Sequence, residues 1–329
     1  MEKTATRKKT APAKKPAMTA EEKGPVPTGP HTPVSNVAPE GVGAPGSLVS
    51  PPETGVAKGV LDPRDGFEAL HPELAEESAA APPVARLSKL RDIGAASFKD
   101  PELVLETVHG PDSRIQVQET DKYPYRVNAS LLITARDGSQ WIGTAWLISN
   151  RTLITAGHCV YIKNSGVPNR DGWVKTIQVM AGRNGTALPY GSVTSSRFWT
   201  VKGWADSGDE NFDYAAIILP TDLGNTVGTI GFGSYDDAEL VGSAANVTGY
   251  PGDKDSGTMW YDSKEIASVA ATKVYYDIDT AGGQSGAALY VIKDGQRIAV
   301  AVHAYGGAVT NSGTRISAPV FQNLTNWKQ

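Results

Sequence analysis

One cysteine in 329 residues excludes an intramolecular disulfide and a cysteine-rich zinc site. That residue, Cys159, reads as a small buried hydrophobe rather than a reactive thiol. Its scarcity does not identify a compartment. Long apolar runs are missing as well: nothing has the length of a signal-peptide core, and nothing approaches a membrane span. Charge of one sign is also absent. A net charge of −4 and a pI near 5.8 argue against a protein built to coat nucleic acid. Arg7, Lys8, Lys9, Lys14 and Lys15 make the start of the chain basic, but no aromatic residue is interleaved with them, so they read as a solvated tail. Neither a nucleic-acid nor a membrane partner is expected. No internal repeat is evident.

Proline marks the organisation of the chain. Of the 22 prolines, 14 precede residue 84, in a stretch otherwise made of Ala, Gly, Ser, Thr and charge. Such a segment buries too little apolar surface to offset its ordering entropy, so a largely disordered N-terminal segment is expected over 1–106. From about Tyr123 the texture changes to short runs rich in Val, Ile, Thr and aromatics, punctuated by Gly, Asn, Asp and Pro, an all-β pattern. The runs expected as strands are 127–134, 140–148, 152–156, 176–180, 197–201, 214–219, 245–249, 273–278, 287–292 and 298–303. Near the end, residues 319–327 place apolar residues at helical spacing and read as a short packing helix.

Three motifs carry chemistry. Ser285 lies in Thr280-Ala-Gly-Gly-Gln-Ser-Gly286, where glycines free the backbone to turn and to aim N–H groups at a developing oxyanion. A serine hydroxyl is a poor nucleophile at neutral pH and needs a base. Leu153-Ile-Thr-Ala-Gly-His158 offers one, as when a buried strand delivers a side chain to a cleft edge. Asp213 precedes the continuous apolar run Tyr214–Leu219, where an acid is costly to bury without a donor. Each motif has a plainer reading: a glycine-rich turn, a core histidine, and a strand-start acid beside Asp206, Asp209 and Glu210.

Their order, His158…Asp213…Ser285, is that of chymotrypsin-like proteases. An α/β-hydrolase is disfavoured, because its acid precedes its histidine and the βα alternation is missing here. Taken together, Thr-Ala-Gly-His158-Cys, Asp213-Tyr-Ala-Ala-Ile and Gly-Gly-Gln-Ser285-Gly resemble the trypsin-like serine peptidases. More narrowly, the chain resembles the bacterial glutamyl endopeptidases of the Bacillus and staphylococcal V8 type. Supporting stretches are Ala181-Gly-Arg-Asn-Gly-Thr, Pro189-Tyr-Gly-Ser-Val, Gly249-Tyr-Pro-Gly-Asp-Lys254, Gly257-Thr-Met-Trp260 and Asn323-Leu-Thr-Asn-Trp-Lys328.

The resemblance implies two packed six-stranded antiparallel β-barrels over residues 107–329, with the active site between them and a short C-terminal helix. It implies Ser285 as nucleophile, His158 as general base, Asp213 as its orienting acid, and the N–H groups of Gly283 and Ser285 as oxyanion hole. No metal or organic cofactor is implied. Many relatives pair a cysteine at the Cys159 position with one near Gly143–Trp146, and this chain has none there. Specificity has two readings. Asp279, six residues before Ser285, matches the trypsin aspartate that receives Lys or Arg. Thr280 and His303 match the glutamyl endopeptidase positions that receive a glutamate carboxylate, and Bacillus-type members also carry an acid at the Asp279 position. The resemblance further implies a propeptide cut after Glu106 or before Val108, export despite the lack of a recognisable signal peptide, and a monomer acting on protein or peptide substrates. A catalytically silent protease-fold binding protein remains the alternative from another class.

Overall fold

A computed structural model describes residues 25–37, 49–52, 90–97, 107–307 and 309–329. The β-branched and aromatic runs form the expected strands. In the N-terminal half these are β1 (Asn128–Thr134), β2 (Gln140–Leu147), β3 (Thr152–Thr155), β4 (Thr176–Ala181), β5 (Val193–Ser195), β6 (Arg197–Val201) and β7 (Ala215–Ile218). Their hydrogen-bonded order is β6-β7-β3-β2-β1-β4-β5. Only Ser196 separates the two end strands, so the sheet curls round to nearly meet itself. The second half contains β8 (Ala244–Gly249), β9 (Trp260–Val269), β10 (Lys273–Tyr276), β11 (Ala288–Lys293), β12 (Gln296–Tyr305) and β13 (Asn311–Arg315). Here the order β11-β8-β9-β10-β13-β12 returns to β11, giving a closed six-stranded barrel. The chain is therefore mostly β, with a closed six-stranded barrel beside one that is incompletely closed.

Three of these thirteen strands escape a sequence reading for identifiable reasons. β9 carries Asp262, Ser263, Lys264 and Glu265 in its first half, which hides its period-two apolar pattern. β13 has no aliphatic residue, although its Asn311, Gly313 and Thr314 are buried between β10 and β12. β5 is only three residues long. Pairing within a barrel overrides weak strand propensity at such positions.

A core of Leu, Ile and Trp side chains from β1, β2, β3 and β7 fills the first barrel, and a second cluster of Val247, Ile266, Leu289 and Val300 fills the other. Each fully buried side chain of this size contributes about 1.5–3 kcal/mol. The helix α2 (Ala318–Trp327) lies against the first core. Phe321 packs on Phe232 with ring centres 5.2 Å apart, and Trp327 lies 5.7 Å from Tyr214. Cys159 is buried in the same core with its Sγ facing Gly143. Burial raises its thiol pKa, as befits an inert packing group.

Parts of the N-terminal segment lie on the barrels. Residues 33–35 pair antiparallel with β6, matching Pro33 to Val201 and Ser35 to Trp199. Asn36 extends that contact through Nδ2 to the Ser196 carbonyl (2.7 Å) and through Oδ1 from the Phe198 N–H (2.8 Å). Residues 49–50 pair with the short strand 231–233, and residues 90–97 pack at the mouth of the cleft. An open sheet edge offers unpaired N–H and C=O groups, and these short stretches take them up without needing apolar bulk. The remainder of 1–106 lies outside the described residues. Among the described residues no helix is long and apolar enough to cross a membrane.

Candidate active site

Strand β3 ends in Thr155, and the chain turns directly into the one-turn helix α1 (Gly157–Val160), which carries His158. The imidazole is fully buried, and its Nδ1 lies 2.7 Å from Asp213 Oδ2. Asp213 Oδ1 accepts the backbone N–H of His158 at 2.9 Å, so one carboxylate fixes both ring and main chain. Burial alone would lower the His158 pKa, but the charge and hydrogen bond of Asp213 outweigh it and hold the pKa well above 6.5. For Asp213, burial pushes the pKa up, while His158 and a hydrogen bond from Tyr305 bring it below the ordinary value.

Tyr305, at the end of β12, is a component that the sequence reading missed. Its hydroxyl donates to Asp213 Oδ2 at 2.5 Å, on the same oxygen that faces the imidazole. Lys273 lies behind it, buried, with Nζ 4.1 Å from the Tyr305 ring centre and 3.7 Å from Glu210 Oε2. Burial lowers the Lys273 pKa, opposed by Glu210 and Asp213. A motif search reads Tyr-Gly-Gly only as a turn; a long sequence separation hides its contact with Asp213.

Ser285 lies in the turn before β11 and is buried. Its carbonyl accepts the N–H of Thr144 at 2.9 Å and lies 3.8 Å from Cys159 Sγ, which brings the serine beside the helix of His158. Among the described residues His158 Nε2 is buried and makes no hydrogen bond. Glycine is required on either side. Gly283 has φ of +108°, and a Cβ there would come within 2.5 Å of the Tyr250 carbonyl; Gly286 has φ of +91°, and its Cβ would meet Thr155 Oγ1 and the Thr144 carbonyl. Thr144 Oγ1 donates to the Gly283 carbonyl at 2.7 Å. The Gly283 N–H, on the other side of the loop, donates to Asp92 Oδ1 at 2.9 Å.

The specificity positions fall on the second barrel. His303, on β12, is fully buried; its Nδ1 lies 2.5 Å from the Tyr276 hydroxyl, and its carbonyl accepts the Gly286 N–H. Thr280 is fully buried, and its Oγ1 makes no hydrogen bond among the described residues. Asp279 is occupied elsewhere. Its Oδ1 accepts the His109 N–H at 2.7 Å, and its Oδ2 accepts the Ser113 N–H at 3.0 Å and hydroxyl at 2.7 Å. Burial raises its pKa, but these donors bring it below the ordinary carboxylate value. Thr107 docks in the same region, with its N–H on Asn311 Oδ1 at 3.0 Å and its carbonyl accepting Asn311 Nδ2 at 2.7 Å and Thr280 N–H at 3.4 Å.

The trypsin family model matches residues 114–328. A glutamyl endopeptidase of Bacillus licheniformis is 44% identical over 232 residues, covering 68% of this chain and 70% of that protein. A Bacillus subtilis protein named an extracellular metalloprotease is 40% identical over 223 residues, covering 67% of this chain and 69% of its own length. Among solved structures, a Glu endopeptidase in complex with MPD is 30% identical with a TM-score of 0.58, and the match covers 67% of this chain and 99% of that one. The buried His158–Asp213 pair, the glycine-flanked Ser285 and the double-barrel frame thus occur in a chain that belongs to the trypsin family of serine-type endopeptidases.

Proposed function

We propose that this chain is the precursor of an exported endopeptidase that hydrolyses peptide bonds after glutamate, and more slowly after aspartate, through Ser285, His158 and Asp213. The observation that carries the specificity is the pairing of His303 with Tyr276 while Asp279 is engaged by His109 and Ser113. With the Tyr276 hydroxyl on Nδ1, Nε2 is the ring nitrogen left to face a substrate carboxylate. Thr280 Oγ1 supplies a second donor from the wall of the same barrel. Asp279 accepts hydrogen bonds from His109 and Ser113, which argues against its use to receive Lys or Arg.

The reaction follows from the residues in order. Ser285 Oγ attacks the scissile carbonyl as His158 Nε2 takes its proton, and Asp213 stabilises the imidazolium. The N–H groups of Gly283 and Ser285 receive the oxyanion. The proton passes to the leaving amine, and water then hydrolyses the acyl-enzyme by the same route. The intact trio argues against a silent binding protein. Thr107 is seated on Asn311 and Thr280, which supports a cut after Glu106 that would leave the new N-terminus beside Thr280.

The test is a cleavage profile of the processed protein on peptides varied at the residue before the scissile bond. Preference for Glu is expected, and a preference for Arg or Lys overturns the specificity. His303→Ala removes a hydrogen bond to a charged group, so cleavage after Glu should fall about 10- to 100-fold more than cleavage after other residues.

A further inference from the structure

Residues 90–97 cross the cleft at the point where the chemistry would take place. Asp92 pairs in parallel with Ile142 of β2: the Ile142 N–H donates to the Arg91 carbonyl at 3.0 Å, and the Ile93 N–H donates to the Ile142 carbonyl at 2.9 Å. Between these two bonds the Asp92 side chain reaches the nucleophile loop, where its Oδ1 accepts the Gly283 N–H. Its Oδ2 accepts the N–H of Gly94 at 2.9 Å, which locks the carboxylate in that orientation. Ile93 is fully buried in the first-barrel core beside Gly143, and Ala96 and Ser97 are buried behind it. Leu90 lines a small pocket with Arg183, Tyr250 and Gly252.

A carboxylate oxygen on the Gly283 amide takes one of the two donors proposed for the oxyanion, and carries the charge that the oxyanion would carry. Such a charge-assisted bond is about twice as strong as a neutral one, and it is added here to two main-chain bonds and the burial of an isoleucine. A substrate carbonyl cannot enter while this contact stands. Ordering this stretch costs conformational entropy, which these contacts offset.

From this juxtaposition we infer that the cleft is an interaction surface for the chain's own segment 90–97, and that Asp92 plugs the oxyanion site and keeps the unprocessed chain silent. The inference rests on the protease reading above and names the regulation of that site. Glu106 lies between the plug and Thr107, so a cut there separates the segment from the catalytic domain and converts a permanent intramolecular contact into a dissociable one. The same segment, supplied as a free peptide, should bind the processed enzyme and compete with substrate.

The experiment uses the full chain with Glu106→Gln to block the cut, its intactness checked by mass spectrometry. Labelling of Ser285 by a fluorophosphonate and hydrolysis of a Glu-containing peptide are both followed. The blocked chain should be nearly silent, and adding Asp92→Ala or Asp92→Asn should raise the labelling rate about ten-fold or more, the usual effect of losing one charge-assisted hydrogen bond. In parallel, the peptide Leu-Arg-Asp-Ile-Gly-Ala-Ala-Ser should inhibit the processed enzyme competitively, and its Asn version about ten-fold less well. The plug is overturned if the processed enzyme labels readily while the Asp92 variants label no faster than their parent, or if the Asp and Asn peptides inhibit alike. A processed enzyme that labels but cleaves after residues other than Glu overturns the specificity reading and leaves the plug standing. A processed enzyme that never labels overturns the catalytic reading and the plug with it.

Discussion

At the scale of single residues, the Tyr305 hydroxyl decides how much of the Asp213 charge reaches the imidazole. It shares Oδ2 with His158 Nδ1, and Lys273 adds a buried cation behind its ring. Both groups draw negative charge away from His158, opposing the effect of Asp213 that raises the imidazole pKa; Glu210 and Asp209 act on Lys273 in the opposite sense. Removing either should therefore raise the His158 pKa further. Since only the neutral imidazole accepts the serine proton, the acid limb of kcat/KM should move to higher pH in Tyr305→Phe and in Lys273→Met. A purely structural loss would lower the plateau and leave the limb in place. Asp213→Asn should be far more severe, lowering kcat roughly 10⁴-fold, because the imidazole then adopts the wrong tautomer. The linkage to stability has two signs. The raised His158 pKa contributes stability that is full below about 6.5 and is lost as pH rises through the folded value. The lowered Asp213 pKa contributes stability present above about 4 and lost as pH falls through its folded value.

At the scale of elements, the turn into β11 has little freedom. Gly286 holds a left-handed backbone with no room for a methyl group between Thr155 Oγ1 and the Thr144 carbonyl. Gly286→Ala should cost about 2–4 kcal/mol, combining left-handed strain with overpacking, and this would be read as a lowered urea midpoint with unchanged slope. The β3–α1 junction has a similar rigidity, because Asp213 holds the first N–H of the His158 residue as well as its ring. The motifs around His158, Asp213 and Ser285 were legible in the sequence because each sits at the end of an apolar run, where periodicity breaks. Tyr305 and Asp92 were not, since neither breaks a local pattern; Asp92 acts across 191 residues of chain.

At the scale of the molecule, the N-terminal segment touches both barrels and the cleft between them. Residues 33–35 extend the first sheet, residues 49–50 add to the strand beside the second barrel, and residues 90–97 bridge β2 and the nucleophile loop. A cut after Glu106 should loosen the cleft contacts before the barrels themselves. Hydrogen exchange at the Gly283 and Ile142 amides should therefore speed up on processing, while amides in the centres of β1 and β8 stay protected. Equal protection of Gly283 before and after the cut would contradict this picture.

The amino-acid sequence by itself determined the all-β class, most of the strands, the C-terminal helix and the His158…Asp213…Ser285 order on which the catalytic proposal rests. It did so because alternating apolar runs and glycine-bounded turns are local, and because the order of His158, Asp213 and Ser285 is carried by the chain itself. Tertiary structure alone decided which charges meet. It turned Asp279 toward His109 and Ser113, set Tyr305 and Lys273 behind Asp213, and brought Asp92 to Gly283. These contacts depend on strand register and barrel closure, which bring distant polar groups within hydrogen-bond reach. No pattern of neighbouring residues encodes such a distance.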